Sequence, residues 1–224
     1  MNEKCAWYIE LKRQAEAITH EAAVQFWPAP EGNTSYYNFR LEHIRQVERD
    51  ARRIMAVEKG DEEAVIAAVW IHDRFQPQFQ GAQHAEKAAK WARQSLMAMS
   101  FPAYKIADVC QAVEMHTRRV MDIPPEATTA RLLWDADHLA RYGPMGFINF
   151  FMCHMARDFI GGLGDNPSFP EHRLTIRDIA PLLLDRRPAL YRSDWFYFDE
   201  SRRLARQRIG VQRAFFDALE DQLW

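Results

Sequence analysis

Apolar residues recur at helical spacing through most of the chain, and no stretch alternates well enough to demand a strand. The pattern predicts helices at about 3–27, 38–58, 61–73, 83–99, 103–118, 127–141, 144–159, 173–184 and 199–221. Within the second, Ile44, Val47, Ala51 and Ile54 form one stripe at spacings of 3, 4 and 3. Pro28-Ala29-Pro30-Glu31-Gly32-Asn33 breaks the first helix, Lys59-Gly60 ends the second, and Asp61 is placed to cap the third, with Glu62 and Glu63 in its first turn. Residues 74–82, with Pro77 and Gly81, and the run Gly161-Gly162-Leu163-Gly164-Asp165-Asn166-Pro167 read as loops. The expectation is an all-α chain, a single helical domain over 1–224.

Composition narrows the function classes. The 224 residues are enough for one sizeable core. Lys+Arg 29 against Asp+Glu 31 gives a net charge of −2, without the basic excess of a nucleic-acid or membrane-surface binder. No secretory apolar segment opens the sequence, and no run approaches the roughly 20 apolar residues of a membrane span. Cys5, Cys110 and Cys153 are odd in number and widely spaced, which suits a reduced, cytoplasmic setting.

Chemistry sits at the ends of the stripes. The buried-looking run Ala64-Val65-Ile66-Ala67-Ala68-Val69-Trp70-Ile71 ends in His72-Asp73. Desolvating an imidazole and a carboxylate is costly unless something pairs with them, and a divalent cation is a suitable partner. Elsewhere His43 shares the face of Val47; Ile106, Val109 and Val113 lead to His116; Ala130 and Leu133 lead to Asp137; and His84 heads the row Ala88, Ala92, Leu96. Asp135 lies about 200° from Asp137 around the helix, which suits orienting a ligand or capping backbone groups. His138 is rotated about 100° from Asp137 and reads as solvated; His20, His154 and His172 read as structural or surface residues. Mixed imidazole and carboxylate donors suit Mn, Fe, Co, Ni or Zn better than Mg.

The order His43, His72-Asp73, Asp137 resembles the HD superfamily of metal-dependent phosphohydrolases, in the wording of its single-domain bacterial members that cleave nucleotides. The segments Glu42-His43-Ile44-Arg45-Gln46-Val47, Glu58-Lys59-Gly60-Asp61, Ala67-Ala68-Val69-Trp70-Ile71-His72-Asp73, His84-Ala85-Glu86-Lys87-Ala88-Ala89, Val113-Glu114-Met115-His116 and Asp135-Ala136-Asp137-His138-Leu139-Ala140-Arg141-Tyr142-Gly143 carry it. It covers about 36–150 as the HD core, with C-terminal helices at about 170–224 packing on that core. The resemblance implies a helical HD fold with His43, His72, Asp73 and Asp137 as metal ligands. Three positions depart from the family pattern. Gln46 stands where an Arg is frequent, Phe39 where some relatives have a further His, and Gln76 where the nucleotidase branch often has a Glu. Gln is no general base, so that branch's catalytic residue does not carry over.

By that resemblance the chain hydrolyses a phosphoester or phosphoanhydride, with a nucleotide as the expected substrate, and a metal-activated water as nucleophile. One ion is expected ahead of two. Asp73 is the candidate catalytic carboxylate, a ligand that also accepts the water's proton. His84 and His116 would bind substrate phosphate or build a second metal position. Arg118 and Arg119 are candidate phosphate clamps, or solvated charges at a helix end. The rival readings are a di-iron oxygenase using His84 and His116, and an HD module that binds a nucleotide without turnover. Trp195-Phe196-Tyr197-Phe198 reads as packing, with a lid or homodimer contact as alternatives; Trp70 and Trp134 suit the core, and Phe75 or Tyr142 a stacked base.

Overall fold

In a computed structural model, residues 5–26, 28–29, 31–35, 37–76, 82–154 and 192–223 are described. They contain eight α-helices and no named strand; an isolated bridge joins Pro28 and Ser35. The helices are α1 (Ala6–Phe26), α2 (Phe39–Met55), α3 (Glu62–Ile71), α4 (Ala82–Ala98), α5 (Ile106–Met115), α6 (Thr128–Leu139), α7 (Gly143–His154) and α8 (Asp199–Leu223). Single 3₁₀ turns at Ala103–Lys105 and Ser193–Trp195 precede α5 and α8. The all-α expectation holds. The helix expected at 173–184, the glycine-rich loop, His172, Cys153's side chain and that of His154 lie outside what is described.

The apolar run ending in His72-Asp73 explains the architecture. Every residue from Ala64 to Ile71 is buried, so α3 has no solvent face, and α1, α2, α4, α5 and α6 pack around it. Local chemistry starts it where the sequence indicates. Asp61 accepts from Ala64 N at 3.1 Å, and Lys105 Nζ reaches Asp61 and Glu63 at 2.8 Å each, tying the start of α5 to the start of α3. Asn38 caps α2 in the same way, accepting from Leu41 N at 3.0 Å. Gly60 is needed for close approach, since a Cβ there would lie 2.3 Å from Leu132 Cδ1.

The first and last helices close the two sides. Glu48 on α2 accepts from Tyr8 on α1 at 2.7 Å, from Trp70 Nε1 on α3 at 2.8 Å and from Arg52, so one buried carboxylate joins three helices. On the other side Arg208 of α8 pairs with Asp50 of α2 and donates to Leu139 O at 2.7 Å. Gln212 accepts from Gly143 N at 2.9 Å, where a φ of +82° turns the chain from α6 into α7. Of the aromatic run, Phe196 and Tyr197 are buried, in keeping with packing. No described helix is long and apolar enough to cross a membrane.

Candidate metal centre

Helix ends deliver the chemistry. His43 leaves the first turns of α2, His72 and Asp73 follow the last turn of α3, His84 starts α4, His116 caps α5, and Asp137 comes from the last turn of α6. All six are buried, as their phase in each stripe predicts. The structure brings them together around Asp73. Its Oδ2 lies 3.5 Å from Nε2 of both His43 and His72, and its Oδ1 lies 3.4 Å from His84 Nε2 and 3.6 Å from His116 Nε2. Asp137 Oδ1 approaches His43 Nε2 at 2.9 Å and His72 Nε2 at 3.9 Å.

The ring orientations suit ligation. His72 Nδ1 is 2.7 Å from Val69 O and His116 Nδ1 is 2.6 Å from Val113 O, so each carbonyl takes the Nδ1 proton and leaves the Nε2 lone pair facing inward. Burial is the main influence lowering the His72 pKa to about 4, so the ring is neutral near pH 7. Burial opposes the ionised forms of Asp73 and Asp137, but the guanidinium of Arg40 outweighs it at Asp73 and that of Arg141 at Asp137, so both carboxyls lie well below the usual range.

Two orphaned atoms test whether a cation fits. His72 Nε2 and Asp137 Oδ1 are buried and make no hydrogen bond, although both face the cluster. Leaving such groups unpaired costs roughly 1–3 kcal/mol each. A divalent ion among His43, His72, Asp73 and Asp137 would satisfy both. His43-His72-Asp73 and Asp73-His84-His116 each form a group of donors within 4.8 Å of one another, with Asp73 common to both. The donors present therefore fit a metal, and they offer a second position beside the first.

Asp135 does not join the cluster. It is fully buried and accepts from Tyr197 N and Phe198 N at 3.0 Å, so it caps the segment leading into α8. Gln46 is structural too, bonded to Asp50 at 3.0 Å and to Arg49 at 2.7 Å. Gln76 Nε2 lies 3.1 Å from His84 Nδ1 and so orients that ring.

A cavity of about 720 Å³ opens over the cluster, lined by His43, Asp73, His84 and His116, by Arg40, Arg118, Arg119 and Arg141, and by several aromatic rings. Arg118 and Arg119 thus reach the site, on a loop fixed by Trp134 Nε1 donating to Arg118 O at 3.1 Å. Tyr142 lines the cavity and Phe75 does not. Trp134 is a core residue that also forms cavity wall.

The solvated reading of His138 is corrected. Its ring stacks on Trp134 at 3.6 Å and 14°, its Nδ1 lies 2.8 Å from Trp134 O, and it lines the cavity. The 100° rotation carries it off the Asp137 axis but onto the pocket side, where burial, followed by Arg141, lowers its pKa to about 3. The sequence reasoning missed Arg40, whose guanidinium hydrogen-bonds Asp73 Oδ2, and Arg141, 2.8 Å from Asp137 Oδ2. Both carried a signal: Arg40 lies three residues before His43 and Arg141 four after Asp137, on the same helix faces.

Residues 40–142 match the HD domain family model. Solved structures similar to the whole chain include a predicted HD-superfamily hydrolase from an uncultured Thermotogales bacterium. Its TM-score is 0.63 at 18% identity, with 100% of this chain and 97% of that one covered. An HD-superfamily hydrolase from Bacillus thuringiensis gives 0.59 at 17% identity, covering 96% and 97%. YpgQ of Bacillus subtilis, in complex with ADP, gives 0.56 at 18%, covering 94% and 95%. No curated protein sequence matches. Helical topology, a histidine–aspartate centre built at helix ends and the matched segment agree: residues 40–142 are similar to the HD domain, and the chain shares the fold of these structures.

Proposed function

We propose that the protein is a metal-dependent phosphohydrolase acting on a phosphoester or phosphoanhydride of a nucleotide. The observation that carries this reading is Asp73, whose two oxygens are flanked by four imidazoles at the floor of an arginine-lined cavity. A divalent transition metal held by His43, His72, Asp73 and Asp137 would supply a hydroxide nucleophile near neutral pH and stabilise charge on the phosphoryl group. Asp73, kept ionised beside Arg40, would hold the ion and accept a hydrogen bond from the attacking water. Arg118, Arg119 and the exposed Arg141 present guanidinium groups matched to phosphate oxygens. His138, stacked on Trp134, gives that side of the cavity a flat polar edge. The ADP complex of YpgQ, a protein of similar fold, supports a nucleotide here.

Phosphate release from nucleotides and generic phosphoesters, with Mn, Co, Ni or Mg added in turn, tests the reading. Turnover with at least one metal is expected, and none with metal bound overturns it. The donor group Asp73-His84-His116 favours one second reading, a dinuclear iron oxygenase. Two irons per chain with substrate-dependent oxygen uptake, and no phosphate release, would select that reading.

A further inference from the structure

We propose that Asn149 reads the nucleobase, selecting an oxo group over an amino group at the base edge it meets; this rests on the nucleotide reading above. Asn149 is on α7, is only 5% exposed and lines the cavity. The neighbouring wall is aromatic, with Tyr142, Phe147, Trp195 and Phe216 also lining it. Flat rings suit the faces of a base but distinguish poorly between bases, because every base has a π-face. Discrimination needs a polar group at the edge, and Asn149 supplies one.

An unconstrained amide is ambiguous. It presents an acceptor and a donor, and can pair bidentately with adenine through both. Here one end is committed, because the Tyr37 hydroxyl donates to Asn149 Oδ1 across from the segment leading into α2. Asn149 Nδ2 makes no hydrogen bond among the described residues and is not sealed in the core. With Oδ1 engaged by Tyr37, the end of the amide left to meet a ligand is the Nδ2 donor. An oxo group opposite it gains a hydrogen bond, whereas an amino group sets donor against donor and leaves both unsatisfied. Tyr37 acts as a positioning residue that fixes which end of the amide is read.

The test uses two substrate pairs that differ at this feature, inosine and adenosine nucleotides and uridine and cytidine nucleotides. The readout is the ratio of kcat/KM within each pair, which is independent of the fraction of active protein, with Kd measured in parallel. For wild type the oxo member is expected to lead by roughly tenfold in at least one pair. Asn149→Asp keeps an acceptor for Tyr37 but presents a second acceptor to the base, so the ratio should reverse. Tyr37→Phe frees the amide to present either end, so the ratio should fall towards one while turnover persists. Wild-type ratios in both variants would overturn the assignment and leave the nucleotide reading standing. If wild type neither binds nor cleaves any of the four, the nucleotide reading fails and this inference with it.

Discussion

The guanidinium of Arg40 hydrogen-bonds Asp73 Oδ2, the same oxygen that stands 3.5 Å from Nε2 of both His43 and His72. A divalent ion in that group of donors meets a positive charge already in place, and like charges at such range repel. Replacing Arg40 with Gln retains a hydrogen-bond donor but removes the charge. Arg40→Gln is expected to bind Mn²⁺ about tenfold more tightly by titration calorimetry. Unchanged or weaker binding would show that Arg40 supports the ion rather than competing with it.

His72 and Asp73 should be indispensable to metal content. Wild type at about a hundredfold excess of metal over Kd should gain about 2.7 kcal/mol of stability, seen as a rise in Tm. His72→Ala and Asp73→Ala should show neither bound metal by elemental analysis nor that rise, with helicity by circular dichroism largely kept. Both positions follow the last turn of α3, so their loss leaves its hydrogen-bonded ladder in place.

The Arg208–Asp50 pair should be costly to break from one side. Asp50 is fully buried, so Arg208→Met leaves a carboxylate without its cation and frees Leu139 O. The expected loss is about 3–5 kcal/mol in urea unfolding. Adding Asp50→Leu should recover a substantial part of it, because the uncompensated charge is then removed.

Gly60→Ala should destabilise by about 1–3 kcal/mol, since the new methyl meets Leu132 Cδ1. In the double variant with Leu132→Ala the added cost of the Gly60 change should vanish. A full additive cost in thermal unfolding would show that the strain lies in the backbone instead.

Much of this was legible because burial and periodicity are local properties of a helix. The stripe through Ile106, Val109 and Val113 places His116 inward, and the structure finds it 3% exposed. The caps Asn38 and Asp61 need only their own turns. Cross-chain relationships were not legible. No spacing rule connects Asp50 to Arg208, or Tyr37 to Asn149, because those contacts depend on how α7 and α8 dock. His138 was misread for a related reason: helix phase gives an angle, whereas the neighbouring cavity decides whether that angle faces water or a site. The cavity wall is assembled from distant segments, which periodicity does not describe.

The anchoring of α8 has a consequence for the order in which the protein matures. During synthesis the chain emerges from its N-terminal end, and structure can begin to form before translation finishes. His43, His72, Asp73, His84, His116 and Asp137 all precede α8, so every donor of the metal cluster can meet while later residues are still being added. Arg208, which steadies the end of α6 beside Asp137, and Phe216, part of the cavity wall, arrive much later. A nascent chain stalled before α8 would therefore carry every donor of the cluster but lack Phe216 from the cavity wall. The donors of the cluster and the last part of the cavity wall are thus added at different moments of synthesis.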